Sequence, residues 1–241
     1  MEQEFPLVEH ACSTSGKRCS RVRRAIVGRV TARTSAREAT TAAVPTEAAD
    51  GGPPESGTRA RTRRAILDAA VAVLSTDKSA SLGDVAQAAQ VGRTTLHRYF
   101  PERADLVEAI GAEAVERTRA AIVAARLDDG RPAAALRRLA FEYFDLGPWY
   151  MVLFNEMSDG EAEFWAEAED AEEPVRELLR RGQESGVVDD QLSVSWIVRT
   201  LWWTLFNAWS MAGDGEISRA DALRMAVRSI EGVTLAREAR P

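Results

Sequence analysis

The segment 81–101 constrains the fold more than any other part of this 241-residue chain. It contains two short stretches, 82–89 and 93–100, in which apolar residues recur with helical spacing, and three residues separate them. Ser81 precedes the first stretch and stands three residues before Asp84, a pattern typical of a capped helix start. Two short helices joined by a three-residue turn form a helix-turn-helix unit.

Helical periodicity continues on both sides of this unit. A first helix is predicted to begin near Thr58, with an apolar stripe from Ile66 to Leu74, and a long helix is predicted over about 102–125. No stretch alternates strictly between apolar and polar residues, the pattern that predicts a half-buried strand. The sequence therefore predicts an all-α fold, with an N-terminal three-helix domain that contains the helix-turn-helix and a helical bundle after it.

The second helix of the unit lies in the stretch QVGRTTLHRYFP, 90–101, which has no acidic residue. Leu96 and Phe100 are one turn apart and are expected to face the core, which leaves Arg93, Thr94 and His97 pointing outward. Because the second helix of such a unit enters the DNA major groove by its N-terminal residues, this surface is expected to meet an anion. The alternative is an ordinary solvated face.

The net charge of -6 is unevenly distributed along the chain. Residues 126–241 hold 13 basic and 22 acidic side chains, whereas residues 59–125 hold 10 basic and 8 acidic ones. The acidity therefore lies in the C-terminal half, and the first half remains able to face phosphate.

Residues 1–57 are predicted to form a disordered extension, because they offer little apolar surface and end in DGGPPESG. Within them, 17–37 holds eight basic residues and no acidic one. This segment is either an arm that adds phosphate contacts, an inert tail, or the product of a start codon assigned too far upstream. The only cysteines, Cys12 and Cys19, match no zinc pattern and imply no disulfide framework, which favours a reducing cytoplasm.

Residues 59–110 closely resemble the DNA-binding domain of TetR-family transcriptional regulators. The resemblance rests on RTRRAILDAAVAVLS and on SLGDVAQAAQVGRTTLHRYFPERADLVEAI, in the same order of elements. A weaker C-terminal pattern, GVVDDQLSVSWIV followed by ISRADALRMAVRSI, agrees with the family's helical architecture. The implied domains are 58–104 for DNA binding and 105–241 for effector binding and dimerisation.

The resemblance also implies seven DNA-contacting positions. Arg93, Thr94 and Thr95 would approach base edges, where an arginine fork pairs best with guanine and a threonine methyl can touch thymine. The remaining four would reach the phosphate backbone and position the protein without selecting sequence. The predicted contacts are Ser81, Arg93, Thr94, Thr95, His97, Tyr99 and Arg103.

Three departures from the family pattern leave the operator sequence open. Gln90 stands where the turn usually has Gly, because the turn favours a positive φ, at a cost of roughly 1 kcal/mol. Gly92 occupies the usual Ser or Thr cap position, where glycine is acceptable. Gly83 replaces a side chain that contacts bases in some members, so the first helix of the unit is expected to contribute little to base recognition.

All six tryptophans lie between 149 and 209, in the half where the family places its effector pocket. Apolar pockets lined with aromatic rings are the usual small-molecule sites, although ordinary core packing explains many rings. The acidic run 159–173 either guides a cationic, lipophilic effector or is a solvated loop and helix start. The candidate ligand residues are Tyr143, Trp149, Tyr150, Phe154, Trp202, Phe206 and Asn207.

The last two helices, predicted at about 190–213 and 216–237, are expected to form a homodimer. The stretch 194–212 has thirteen apolar residues among 19 but contains Arg199 and Asn207, which argues against a membrane span. A helix that is apolar all round needs partners on two sides, and a second subunit supplies one through a two-fold contact.

The sequence thus predicts a cytoplasmic, ligand-responsive repressor that binds a pseudo-palindromic DNA operator as a homodimer. The alternative is a ligand-binding sensor that has lost specific DNA binding. No enzymatic activity is expected, because the chain has no glycine-rich phosphate loop and no nucleophile with a base. No metal or other cofactor is expected either, since the single other histidine is His10 in the extension.

Overall fold

The computed structural model describes residues 57–156 and 162–236. The extension 1–56, with its basic segment and both cysteines, part of the acidic run and the end of the last predicted helix lie outside these ranges. The described residues form the following ten helices: α1 Gly57–Leu74, α2 Leu82–Ala88, α3 Arg93–Tyr99, α4 Arg103–Ala124, α5 Pro132–Phe144, α6 Gly147–Glu156, α7 Ala162–Ala171, α8 Glu173–Glu184, α9 Val194–Gly213 and α10 Arg219–Thr234.

The all-α prediction is confirmed. Within the two described ranges no strand is present, and extended pairing is limited to an isolated antiparallel bridge between Val188 and Leu235. The helices are short or medium in length and share one apolar core that runs from α1 to α10.

The helix-turn-helix forms as its residues predict. Ser81 caps α2 by a reciprocal pair of hydrogen bonds with Asp84, which satisfies backbone donors at the helix start. Gln90 adopts a φ of 56° in the turn, and Gly92 is the N-cap of α3. Val85 and Leu96 are buried from the two helices, so the turn brings together two apolar faces.

Helix α4 connects the helix-turn-helix to the rest of the bundle. It spans Arg103–Ala124 and packs against α5, α6 and α7, with Ile110 and Ala114 fully buried. The proposed domain boundary between 104 and 105 falls inside this continuous helix. A displacement of α4 would therefore affect both the helix-turn-helix and the bundle that follows it.

Helices α9 and α10 pack along each other at the C-terminal end. Ser193 and Ser218 cap them, the latter with Asp221 as its sequence spacing predicts. The helix α9 buries one face through residues such as Leu201 and Leu205, and it leaves Trp196 on the other face 60% exposed. None of the described helices is long and apolar enough to cross a membrane.

Candidate functional site

The outward face of α3 carries polar and cationic side chains, and its inward face carries large apolar ones. Leu96 and Phe100 are buried, as their spacing predicts. Arg93, Thr94 and His97 are exposed on the same helix. Solvent therefore reaches a surface with hydrogen-bond donors and positive charge but no carboxylate of its own.

The guanidinium of Arg93 lies over the start of α2. A Cβ atom at Gly83 would come within 3.4 Å of the Arg93 Nη2, so the missing side chain at Gly83 provides the space for it. Hydrogen bonds from Ser81 lower the pKa of the Asp84 carboxyl, and the nearby positive charge of Arg93 lowers it further. Ser81, Gly83, Arg93 and His97 line an open cleft of about 250 Å³ between α2 and α3.

A second cationic surface joins the start of α1 to α3. The guanidinium carbons of Arg59 and Arg98 lie 5.7 and 5.8 Å from the centre of the Tyr99 ring. The surrounding cleft has a volume of about 380 Å³ and is lined by Thr58, Arg59, Thr62, Thr95, Arg98 and Tyr99. Neither Arg59 nor Arg98 is among the predicted contacts. The sequence nevertheless has a cluster of arginines at the start of α1, Arg59, Arg61, Arg63 and Arg64, which favours an anion nearby.

Two of the charges on α3 have no carboxylate partner among the described residues. Within the described part of the chain, Arg93 and Arg98 form no ion pair, whereas Arg103, Arg117 and Arg180 are among the arginines that are paired with carboxylates. Exposed guanidinium groups beside hydroxyl donors are suited to phosphate oxygens and to base edges. The geometry therefore matches the predicted role of Arg93, Thr94, Thr95 and Tyr99 without testing it.

Two predicted contacts also have structural tasks. The Ser81 hydroxyl donates to an Asp84 carboxylate oxygen at 2.7 Å and accepts from the Asp84 backbone N–H. The Nδ1 of His97 donates to the Pro101 carbonyl at 3.1 Å, which fixes the ring and leaves Nε2 for another partner. Both side chains remain exposed, so a phosphate contact stays a prediction for each.

Arg103 lies within a dense set of contacts inside the protein. Its guanidinium binds both carboxylate oxygens of Glu156, at 2.8 and 2.9 Å. It also donates to the carbonyls of Ala80 and Lys78, at 2.6 and 3.1 Å. The hydrogen bonds to Glu156 raise the pKa of Arg103, and burial acts in the opposite direction. A phosphate contact by Arg103 would require it to leave these partners, and that prediction remains untested.

Five of the seven predicted ligand residues form a chain of rings between α5, α6 and α9. Trp202 stacks on Tyr143 at a centroid distance of 4.9 Å and lies 4.5 Å from Tyr150. Phe154 and Phe206 meet edge to face at 4.9 Å, and Phe154 lies 6.3 Å from Tyr150. The rings thus pack against one another in a continuous cluster between the three helices.

Trp209 completes this cluster, and Gly147 makes room for it. The Trp209 indole N–H donates to the Phe144 carbonyl at 3.0 Å. A Cβ atom at Gly147 would lie 2.7 Å from the indole ring, so a larger residue there would displace the tryptophan or α6. The ring of Trp209 also stacks near Tyr150 at 6.3 Å.

The cluster contains a buried carboxyl group, Glu172, between α7 and α8. Glu172 is 6% exposed and accepts a hydrogen bond from the Trp202 indole N–H. Burial raises its pKa to about 7, against the opposing effects of that hydrogen bond and of Arg176, whose Nη2 is 3.9 Å away. The Tyr143 hydroxyl is also buried and has no hydrogen-bond partner among the described atoms.

The hydroxyl of Tyr150 connects the cluster to α4. It lies 2.8 Å from the Thr118 hydroxyl, which in turn donates to the Ala114 carbonyl at 2.9 Å. Because Thr118 uses its proton for that carbonyl, Tyr150 donates to Thr118. Burial is the largest cause of the raised pKa of Tyr150, so the phenol stays neutral and remains a donor.

The other two predicted ligand residues lie apart from the ring cluster. The Trp149 ring packs under the guanidinium of Arg117, whose central carbon is 4.0 Å from the ring centre. Asn207 is exposed, and its amide contacts the Met211 sulfur at 3.8 Å. The structure thus brings Trp149 against α4 and leaves Asn207 on the surface of α9.

Sequence reasoning missed Glu172 as a site residue because it lies within the acidic run. A usable signal existed: Glu172 precedes Val175, Leu179 and Gly182 at helical spacing, so the buried stripe of α8 extends back to it. Glu167 and Glu173, also in the run, are exposed and paired: Glu167 lies 3.3 Å from Arg119, and Glu173 lies 2.7 Å from Arg180. Among the described residues no group of side chains is arranged to hold a metal ion.

Comparisons with known proteins concern the family that the chain resembles and test neither site. The model of a family described as bacterial regulatory proteins of the tetR family matches residues 66–110. The chain is 40% identical over 162 residues to the HTH-type transcriptional repressor LfrR of Mycolicibacterium smegmatis, a match that covers 67% of this chain and 84% of that protein.

Solved structures of TetR-like regulators match this chain over about 70% of its length. The TetR-like regulator LfrR from Mycobacterium smegmatis in complex with proflavine matches with a TM-score of 0.59 and 35% identity, over 70% of this chain and 95% of that one. The regulator PfmR from Thermus thermophilus matches with a TM-score of 0.56 over 70% of this chain and 97% of that one. Its identity is 24%, so that likeness concerns the fold alone.

Proposed function

The chain belongs to the TetR family of bacterial regulatory proteins, and from that premise we propose that it is a ligand-responsive repressor that acts as a homodimer on a pseudo-palindromic operator. Membership in the family makes it a DNA-binding transcription regulator, and the family's proteins are regulators rather than enzymes. To this we add four proposals: that the protein represses transcription, that it responds to an effector, that it forms a dimer, and that it is cytoplasmic.

The observation that carries the DNA-binding role is the cationic surface of α3 and the start of α1. Arg93 and the two threonines after it lie at the N-terminal end of α3, the end that enters the major groove in a helix-turn-helix. Tyr99, with Arg59 and Arg98 over its ring, is suited to backbone phosphate on one flank. Base recognition and backbone positioning thus fall to neighbouring parts of one surface.

The effector site that we propose is the ring cluster of α5, α6 and α9. The relative LfrR has been solved with proflavine, a flat aromatic amine that is cationic at neutral pH. Tyr143 and Tyr150 offer aromatic surfaces, which Trp202 contacts in this structure, and Glu172 offers a buried carboxyl group. This combination supports a flat aromatic effector, with positive charge as a favourable property.

Helix α6 is the element through which effector binding would reach DNA. It contributes Tyr150 to the ring cluster, and the same hydroxyl binds Thr118 on α4. At its end, Glu156 holds Arg103 at the start of α4. A shift of α6 would therefore act on both parts of α4 and on the helix-turn-helix, with a coupling free energy of about 1–3 kcal/mol if it is typical.

The dimer that we propose uses the outer faces of α9 and α10. Trp196, Met225 and Val233 are large apolar residues that are 60%, 48% and 39% exposed on these helices. Paired helices with apolar outer faces are suited to a two-fold contact between identical subunits. Two copies of α3 related by that axis would bind two half-sites in successive major grooves.

Fluorescence anisotropy of the full-length protein tests the DNA-binding role. The protein should prefer DNA flanking its own gene, or DNA that it enriches from a random pool, over scrambled DNA near physiological salt. Proflavine should release the preferred DNA. Arg93→Ala should remove the preference, whereas Arg180→Ala on the exposed face of α8 should leave it unchanged.

The alternative sensor makes a different prediction in the same experiment. If specific DNA binding has been lost, no sequence is enriched and Arg93→Ala has no effect on the weak binding that remains. Proflavine binding would then persist without any release of DNA. That result would retain the effector site and overturn the repressor.

A further inference from the structure

Trp202 occupies the centre of the ring cluster in the way that a flat ligand would. Its indole stacks on Tyr143 with an angle of 25° between the rings, and its other neighbour is Tyr150 at 4.5 Å. Its single polar group, the indole N–H, donates to the Glu172 carboxylate. The Tyr150 ring is tilted by 45° to the indole, and Trp209 lies 6.2 Å away. A planar ring stacked on one tyrosine and in contact with a second, with an N–H aimed at a buried carboxyl group, has the pattern of a bound aromatic amine.

The polar groups around this indole are incompletely satisfied. Glu172 is buried with one neutral N–H donor, and the Arg176 guanidinium at 3.9 Å is too distant for a normal hydrogen bond. The Tyr143 hydroxyl has no partner among the described atoms of the same region. Because buried polar groups normally have partners, the indole is an imperfect occupant of a site built for more.

Trp202 is less buried than the rings that it contacts. Tyr143, Tyr150 and Trp209 are 0%, 3% and 5% exposed, whereas Trp202 is only partly buried. An outward movement of the indole would open the space beside Tyr143, Tyr150 and Glu172 to another flat ring.

We propose that Trp202 is an internal occupant of the effector site, which a flat aromatic cation with N–H groups displaces. The incoming cation takes the place of the indole between Tyr143 and Tyr150 and donates to the Glu172 carboxylate. Its remaining polar groups give the Tyr143 hydroxyl a partner. This inference rests on the effector site proposed above and specifies both its ligand class and its regulation.

Displacement of Trp202 would affect both the apparent affinity for the ligand and the contact through which binding reaches α4. A ligand that must displace Trp202 binds only to the fraction of molecules in which the site is open, so its apparent dissociation constant is raised by that fraction. Displacement also changes the ring in contact with Tyr150, whose hydroxyl is bound to Thr118 on α4. Effector binding and the connecting helix are thereby linked through one residue.

Proflavine titration of the full-length protein and of Trp202→Ala tests the proposal by the sign of the effect. An internal occupant competes with ligand, so Trp202→Ala should bind proflavine more tightly, by about tenfold for a site that is open a tenth of the time. If Trp202 instead lines an open site, its removal deletes a stacking surface and weakens binding. Trp203→Phe is the matched control, since Trp203 lies next in α9 but contacts Phe206.

Glu172→Gln in the Trp202→Ala background isolates the carboxyl group. It should weaken the binding of proflavine at least severalfold, and it should leave the binding of neutral acridine at pH 8 unchanged. Circular dichroism reports whether each variant is folded, and Trp202→Leu replaces Trp202→Ala if the latter is not. Equal losses for both ligands would overturn the role of Glu172 as the partner of the cation.

The remaining outcomes separate this inference from the proposed function. If folded Trp202→Ala binds proflavine no more tightly than the wild type does, the proposal that Trp202 is an internal occupant is overturned. If the wild type nevertheless binds proflavine, the proposed effector site still stands. If neither the wild type nor folded Trp202→Ala binds proflavine, both the internal-occupant proposal and the proposed class of effector are overturned. Specific DNA binding, measured separately, then decides whether the repressor function stands.

Discussion

Gln90 is a residue whose backbone conformation favours a different amino acid. Its φ of 56° lies in the left-handed region, where a Cβ atom is strained and glycine is not. The turn geometry is set by the helices that it joins, since Val91 donates to the Ala86 carbonyl at 3.0 Å across it. The chain thus keeps a strained residue in the middle of its DNA-binding unit.

Gln90→Gly should raise the free energy of unfolding by about 1 kcal/mol, because it removes this strain. Chemical denaturation followed by circular dichroism measures the change. Gln87→Gly is the control of the same chemical type, since Gln87 is exposed within α2. The control should lower the free energy of unfolding by a similar amount, about 0.5–1 kcal/mol. Equal signs for the two variants would show that the turn conformation is not the cause.

Glu172 should make stability depend on pH in the direction opposite to that of an ordinary ion-paired carboxylate. Its pKa is about 7 in the folded protein and 4.5 as its ordinary value, so the folded state binds the proton more tightly. Stability is therefore fully present below about pH 4.5 and is lost as pH rises through 7. The groups that face the carboxyl are Trp202, Arg176, Glu169, Tyr143 and Tyr150.

Glu172→Gln should consequently stabilise the protein above pH 7 and have little effect near pH 5. The shift corresponds to roughly 3 kcal/mol at pH 8 as an upper value, since a tenfold change in proton affinity is about 1.4 kcal/mol. Thermal unfolding across this pH range measures the difference. Glu173→Gln, which alters an exposed carboxylate paired with Arg180, should show no such trend. A constant difference between Glu172→Gln and wild type at all pH values would contradict the raised pKa.

The start of α1 and the face of α3 should contribute differently to DNA binding. Arg59 lies beside Tyr99 on the flank, where the expected partner is phosphate, and phosphate contacts do not depend on sequence. Arg59→Ala should weaken binding to preferred and scrambled DNA by similar factors. It should also reduce the slope of log affinity against log salt by about one.

Titrations at several salt concentrations measure this slope, with Arg180→Ala as the control for a lost arginine elsewhere. Arg93→Ala should instead act mainly on the preferred sequence, because a base-edge contact discriminates between sequences. If Arg59→Ala removes the preference for the specific sequence and leaves the salt slope unchanged, Arg59 contacts bases and not phosphate. The two roles are thus distinguished by sequence preference and salt slope together, and not by affinity alone.

Local patterns predicted most of the individual helices. Ser81 and Ser218 stand at helix starts with an acidic residue three positions later, and both cap as expected. The stripes of α1 and α3 predicted which side chains are buried, because helical spacing alone determines a shared face. These features depend on residues within one or two turns of each other.

The contacts between helices were not predictable in the same way. Arg103 and Glu156 are paired although 53 residues separate them, and Trp202 reaches Glu172 across 30 residues. Such pairs depend on how α4, α6, α8 and α9 cross, which no single-helix pattern specifies. The aromatic content of 149–209 indicated an effector region. The sequence could not show that Trp149 and Asn207 lie outside the ring cluster, because this depends on how the helices pack.

At the scale of the whole molecule, the proposed function depends on an assembly that presents two copies of α3. Helix α9 buries Ile197 and Leu205 within the subunit and leaves Trp196 60% exposed on the opposite side. A tryptophan in water at the end of an apolar helix is suited to an interface, where aromatic residues are enriched. The proposed dimer covers it with the equivalent face of a second chain.

Trp196→Glu should therefore produce a folded monomer at micromolar concentration, because a carboxylate buried without a partner opposes association. Analytical ultracentrifugation measures the mass, and circular dichroism should remain that of the wild type. Phe141→Glu is the matched control: Phe141 is 46% exposed on α5, outside the proposed interface, and its replacement should leave the dimer intact.

The monomer should also lose cooperative binding to a two-half-site operator while it retains weak binding to a single half-site, since each α3 remains folded. A dimer that persists in Trp196→Glu would move the interface away from this end of α9. A wild type that is itself monomeric at micromolar concentration would contradict the two-fold assembly. The helix-turn-helix would then have to bind DNA as a single unit, and the operator would lack its predicted symmetry.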